Sequence, residues 1–251
     1  MYLQITTKCN MSCEHCCFNC TNKGRHANYN TIVDAIAFAR GYTENISIGG
    51  GEPTLHPRFF DILKMCLEDF DYVGMVTNGS QTNIMYRLAN IIDEDDYPEW
   101  CNCSEEDIEN GYCDCYDDCI YQENKLSVEL SQDCFHDPIN QKIVDLWESR
   151  KKRENRNYGI RDITRGSIGV VSQGRAKKNN IGQTDNECVC ADIIIKPNGN
   201  IKPCGCTNSP IIGNIWDGIS DHWQKIINSE DFQYSDCYTD YKRRKRGDKN
   251  V

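Results

Sequence analysis

Short apolar stretches of strand character alternate with helix-period segments through the first two-thirds of this 251-residue chain. Few folds accommodate that alternation. Strands joined by helical crossovers run parallel, because each crossover returns the chain to the same end of the sheet. The order begins with a strand at Tyr2 to Thr7, a helix at Thr31 to Arg40, a strand at Asn45 to Ile48 and a helix at Pro57 to Leu67. A strand at Tyr72 to Thr77, a helix from Thr82 to Ile92, a strand at Leu126 to Leu130 and a helix at Ile139 to Arg150 follow. In the last helix Ile143, Val144 and Trp147 fall at helical spacing. Tyr158 to Ile163 and Ser167 to Val171 are two more strands, too close together for a full helix between them. The expected class is α/β with a parallel sheet.

Two stretches break the alternation. Residues 95 to 124 are acidic, poor in apolar residues and rich in cysteine. Such a segment cannot bury a core of its own, and an insertion ordered by metal explains it better than a loop. From Asn186 the composition shifts again. Pro197-Asn198-Gly199-Asn200 between apolar stretches signals a hairpin, and a helix is expected from Ile215 to Ile227. The domains expected are therefore residues 1 to 185, carrying the insertion, and residues 186 to 251, ending in a basic run from Lys242 to Arg246.

The chain holds 17 cysteines. Met1-Tyr2-Leu3-Gln4-Ile5 has neither a basic region nor an apolar one of signal type. No apolar run approaches the roughly 20 residues that span a bilayer. A cytoplasmic protein without membrane contact is expected, and in that reducing compartment dense cysteine reads as metal binding before disulfides. The net charge of −10 disfavours a general polyanion binder.

Cys9-Asn10-Met11-Ser12-Cys13-Glu14-His15-Cys16 spaces its thiols three and then two residues apart, directly after the first strand. Three thiolates wrapped on one face of a cubane cluster leave the fourth iron without a protein ligand, whereas electron-transfer clusters use four. On spacing alone, half of a zinc knuckle remains an alternative. Gly49-Gly50-Gly51-Glu52-Pro53 follows the second strand, where glycines let backbone approach a ligand closely. Together these segments resemble the CxxxCxxC and GGE motifs of the radical S-adenosylmethionine (SAM) superfamily. The resemblance covers roughly residues 1 to 175 and implies a partial (β/α)6 barrel. It also implies a [4Fe-4S] cluster on Cys9, Cys13 and Cys16 whose open iron binds the methionine moiety of SAM. One-electron reduction then yields a 5′-deoxyadenosyl radical that abstracts a hydrogen atom.

The resemblance extends to further contacts. His15 stands where the family has an aromatic residue beside the adenine, and Gly49, Gly50, Gly51 and Glu52 form the turn that holds the amino group. Thr77 and Asn78 end the third strand at the mouth where such barrels bind ligands. Glu129 and Ser131 share one face of the fourth strand and match positions set against the ribose and carboxylate, where relatives often have Ser and Asp. Gly174-Arg175 resembles another recurrent motif, and an exposed arginine is its alternative.

Cys188, Gly199 and Cys204 are separated by ten and four residues, a spacing that resembles the auxiliary-cluster modules called Twitch and SPASM. Cys188, Cys190, Cys204, Cys206 and Cys237 compete for about four ligand positions, with structural zinc as the alternative. Cys101, Cys103, Cys113, Cys115 and Cys119 in the insertion suit four-thiolate zinc or a further iron–sulfur cluster equally. Cys17 and Cys20 are either additional ligands or free thiols, and Cys66 has the spacing of a core residue. Cys134, after the fourth strand, is either a catalytic hydrogen-atom donor to a product radical or a plain loop cysteine.

The activity implied is radical modification of a peptide or protein side chain, fed by an electron donor such as flavodoxin or ferredoxin. The alternatives are modification of a nucleotide or nucleobase, aided by the basic tail, and a non-catalytic zinc-binding scaffold.

Overall fold

The computed structural model describes residues 1–94, 125–151, 158–161, 172–182, 193–206, 209–233, 238, 241–242 and 245. Among the described residues nine strands form one sheet. Five of them, β1 (Tyr2–Thr6), β2 (Asn45–Gly50), β3 (Tyr72–Thr77), β4 (Leu126–Ser131) and β5 (Tyr158–Arg161), pair in parallel in the spatial order 5-4-3-2-1. Helices α1 (Tyr29–Arg40), α2 (Phe59–Asp69), α3 (Thr82–Glu94) and α4 (Gln141–Lys151) make the connections. This is a partial barrel of βα units, as the alternation in the sequence requires. The expected strand at Ser167 to Val171 and the cysteine insertion at 95–124 lie outside the described residues. Among the described residues no helix is long and apolar enough to cross a membrane.

Helix α2 shows why these segments fold as they do. Phe59, Ile62, Leu63 and Cys66 recur at helical spacing, and all four are buried. Cys66 is thus a core residue, fully buried. Helix α4 brings Trp147 onto β4, where its indole N–H donates to the Val128 carbonyl at 3.2 Å. The ring meets Tyr158 of β5 edge-on at 5.1 Å, and the Tyr158 hydroxyl donates to the Ala89 carbonyl at 2.9 Å. Both large side chains thus bury their apolar bodies while pairing their one polar atom.

The C-terminal segment continues the same sheet. Strand β6 (Ile194–Ile195) pairs in parallel with β1, and β7 (Asn200–Lys202), β8 (Gly213–Asn214) and β9 (Gly218–Ile219) follow antiparallel. Ile195, Ile201, Ile212, Ile215 and Ile219 belong to the same core as Leu3 and Ile48. The hairpin around Asn198-Gly199 forms as expected, with Gly199 at φ +79°. The helix expected from Ile215 is a correction: it begins at Asp221 (α6, Asp221–Ile227), because residues 213–219 form the β8–β9 hairpin first. Helices α5 (Gly174–Lys178) and α7 (Glu230–Gln233) are short.

The strand ends are joined by Glu52, a carboxylate 1% exposed. Its Oε1 accepts from the Thr54 amide at 3.1 Å, the Thr54 hydroxyl at 2.6 Å and the Thr77 hydroxyl at 2.7 Å. Its Oε2 accepts from the Asn78 amide at 2.7 Å. Burial pushes its pKa up, against the pull of these donors.

Two substitutions test the packing and the clamp. Trp147→Ala is expected to lower unfolding free energy by about 3–5 kcal/mol in chemical denaturation. Glu52→Gln turns one acceptor into a donor facing donors, with an expected loss of about 1–3 kcal/mol by the same measurement.

Candidate functional site

The C-terminal ends of the parallel strands open onto a cavity of about 340 Å³, within the usual range for small-ligand sites. The loop leaving β1 brings Cys9, Cys13 and Cys16 to its wall, and Gly50, Gly51 and Glu52 follow from β2, Thr77 and Asn78 from β3, and Ser131 from β4. His15, Cys17 and Cys20 also line it.

The close approach of the two loops depends on glycine. Gly50 sits at φ +143°, and a Cβ there would lie 2.1 Å from the Thr6 carbonyl oxygen. The pairing of β1 with β2 continues past the strands, since the Gly51 amide donates to the Thr6 carbonyl and the Glu52 amide to the Lys8 carbonyl, both at 2.9 Å. The Asn78 side chain donates to Asn10 Oδ1, and Asn10 donates to the Ser80 hydroxyl, each at 2.9 Å. The cysteine loop is therefore tied to β3 as well.

Three N–H groups point at the sulfurs. The Met11 amide reaches Cys9 Sγ at 3.4 Å, the Cys20 amide reaches Cys16 Sγ at 3.3 Å, and Asn78 Nδ2 reaches Cys9 Sγ at 4.0 Å. Such donors are what cluster-bearing thiolates use to disperse charge. A hydrogen bond from the Cys20 side chain lowers the Cys16 thiol to about 6, while burial, then the neighbouring Cys9 and Cys16, pushes Cys13 up to about 12. A metal cluster removes that difference by deprotonating all its thiol ligands. None of Cys9, Cys13 and Cys16 is in a disulfide. Three half-buried thiols facing an open cavity, with N–H donors on the Cys9 and Cys16 sulfurs, fit an iron–sulfur cluster with one side left for a ligand.

Gly49, Glu129 and Arg175 stand off the cavity wall. A Cβ on Gly49 would meet the Tyr2 hydroxyl at 2.0 Å, and the Glu129 side chain packs over Gly159. Arg175 grips the cysteine loop instead. Its amide donates to the Cys16 carbonyl at 2.9 Å, Nη1 to the Cys13 carbonyl at 2.6 Å and Nη2 to the Cys20 carbonyl. Gly174 permits that approach: it sits at φ +56°, and a Cβ there would be 2.2 Å from the Cys17 carbonyl oxygen. Cys134 is exposed in the turn after β4 and does not line the cavity.

Cys204 and Cys206 are buried, and Gly205 between them lines the same cavity. The Ser209 hydroxyl lies 2.9 Å from the Cys204 carbonyl and 2.8 Å from the Cys206 carbonyl, holding the turn. Cys188, Cys190 and Cys237, and the insertion cysteines Cys101, Cys103, Cys113, Cys115 and Cys119, lie outside the described residues.

Several wall residues escape sequence reasoning: Tyr2, Arg161, Gln173 and His136. His136 pairs with Asp133 through Nδ1 and Oδ1 at 2.7 Å. The His15 ring lies 4.4 Å from Phe135 and 5.1 Å from His136. Burial lowers the His15 pKa to about 4, against the opposing charge of Asp133, so the ring is neutral near pH 7. The one available signal was a histidine three residues after an aspartate, just past a strand end.

Residues 3–97 match the family model described as Radical SAM superfamily. A S-adenosylmethionine-dependent nucleotide dehydratase of Thermoplasmatales archaeon (strain ISO4-H5) is 34% identical over 95 residues, covering 36% of this chain and 34% of that protein. A tungsten-containing aldehyde ferredoxin oxidoreductase cofactor-modifying protein of Pyrococcus furiosus is 33% identical over 84 residues, covering 32% of this chain and 24% of its own. The matches thus span about a third and a quarter of these relatives' lengths. Among solved structures, Streptococcus suis SuiB bound to precursor peptide SuiA aligns at TM-score 0.42 and 14% identity, over 91% of this chain and 66% of that one. The three-cysteine loop and the glycine turn, which meet at the mouth of the parallel sheet, both fall within the residues that match the Radical SAM superfamily model.

Proposed function

We propose that this protein is a radical SAM enzyme in which Cys9, Cys13 and Cys16 hold a [4Fe-4S] cluster and the surrounding strand ends hold SAM. When bound, cluster and SAM together supply one-electron cleavage to a 5′-deoxyadenosyl radical that takes a hydrogen atom from substrate. The observation carrying this reading is the convergence of three thiols with Gly50, Gly51, Thr77, Asn78 and Ser131 on one cavity. In this reading the chain's own residues bind, orient and exclude water. Glu52 keeps the β2 and β3 ends in register beneath the ligand. Arg175 holds the loop carbonyls so that the sulfurs stay turned to the cavity. Cys204 and Cys206, with Cys188, Cys190 and Cys237, would hold an auxiliary cluster, and Gly205 on the cavity wall supports a place for it near the substrate.

For the substrate, a peptide or protein side chain is the first reading, resting on the resemblance of the C-terminal cysteines to auxiliary-cluster modules. A nucleotide is the second, favoured by two relatives that are nucleotide dehydratases, the archaeal one above and one from Selenomonas ruminantium 32% identical over 80 residues. A flavodoxin or ferredoxin would supply the electron, and a cytoplasmic setting suits both cluster and donor.

Anaerobically reconstituted protein, given dithionite and SAM, is expected to form 5′-deoxyadenosine by chromatography, and Cys13→Ala to form none above the enzyme-free control. Zinc in place of iron, with no cleavage, would leave the scaffold reading. Nucleoside triphosphates that accelerate cleavage would favour the nucleotide reading, and an unchanged rate removes it. Arg175→Ala is expected to speed cluster loss to an iron chelator by about tenfold, the equivalent of about 1.4 kcal/mol or one charge-assisted bond. Arg175→Lys should not restore retention, because one ammonium cannot span both carbonyls.

A further inference from the structure

Beside the cysteine loop lies a second set of donors, in which His15 alone is also a residue that the family resemblance sets at the cofactor, beside the adenine. His15 comes from that loop, and Asp133 and His136 come from the turn after β4. Each offers one ligand atom, and the three atoms lie within 4.8 Å of one another. The Asp133 side chain is fully buried and that of His136 is 13% exposed.

Two of the buried atoms are left over. His15 Nδ1 and Asp133 Oδ2 are both inaccessible to solvent and have no hydrogen-bond partner. A buried donor or acceptor without a partner costs about 1–3 kcal/mol, so such atoms call for an explanation. Asp133 Oδ1 already accepts from the Phe135 amide at 2.9 Å and from His136 Nδ1 at 2.7 Å. The backbone bond fixes the carboxylate by its first oxygen, and the second stays buried without a partner.

We propose that His15, Asp133 and His136 form a mononuclear site for a divalent transition-metal ion. Two imidazoles and one carboxylate are the donor set that Fe(II), Mn(II) and Zn(II) accept while keeping coordination positions open. His15 and His136 both line the cavity, so the open positions face the bound ligand. Arg161 shares that wall and opposes a cation, leaving the Asp133 carboxylate to supply the attraction. The site is distinct from the thiolate cluster and holds whether or not the chain cleaves SAM.

Mn(II) is the probe, since hard oxygen and nitrogen donors attract it and thiolates do not. In the full chain with its cluster oxidised and silent by electron paramagnetic resonance, Mn(II) titration should bind one equivalent. Pulsed resonance on that wild-type sample should show nitrogen couplings from two imidazoles. His136→Ala and Asp133→Asn should each weaken binding at least about tenfold, roughly 1.4 kcal/mol, with the cluster absorbance unchanged. No binding overturns the site, and so does Mn(II) bound without nitrogen coupling, which would be capture by surface carboxylates. The wild-type spectrum decides even if a variant fails to fold, and none of these readouts depends on SAM cleavage.

Discussion

A buried carboxylate that accepts four hydrogen bonds is the constraint on which the rest of the mouth depends. Glu52 accepts from the Thr54 amide and the Thr54 and Thr77 hydroxyls on one oxygen, and from the Asn78 amide on the other. Isolated, such a group would not be tolerated in the interior. Satisfied, it joins two neighbouring strand ends and the turn between them into one rigid edge. From Asn78 the constraint passes through Asn10 to the cysteine loop. The position of the thiols is thus set by a residue that touches none of them.

Arg175 secures the opposite side of the loop. Every bond it makes there goes through a backbone carbonyl or its own amide, so no sulfur is occupied by the fastening. The thiols remain available for chemistry while the chain that carries them is held from two directions. An unfastened loop with this many neighbouring thiols would be exposed to disulfide exchange.

Much of this was legible in the sequence, for identifiable reasons. The strands and helices from Tyr2 to Arg150 carry strong periodicity, and burial follows it. Cys9, Cys13, Cys16 and the glycine turn are local motifs whose spacing survives any fold. What escaped is what depends on folding at a distance. His136 and Asp133 meet His15 only because β4 ends beside the first loop, more than a hundred residues away in sequence. The β8–β9 hairpin has two-residue strands, too short for any period to show, so its residues were assigned to the helix that follows. Gly174-Arg175 was visible as a motif, but its role as a fastener of the loop required the loop to be in place.

Strand β1 pairs on one side with β2 and on the other with β6, which is made nearly two hundred residues later. During synthesis β1 emerges early and β6 late, at a pace of about 5–20 residues per second. For something like ten seconds or more the nascent sheet carries an open edge, with backbone amides able to template another chain. The C-terminal hairpin therefore acts as the closing step of the whole fold: a chain halted before Ile194 would hold every barrel strand described here and still lack the cover for its first one.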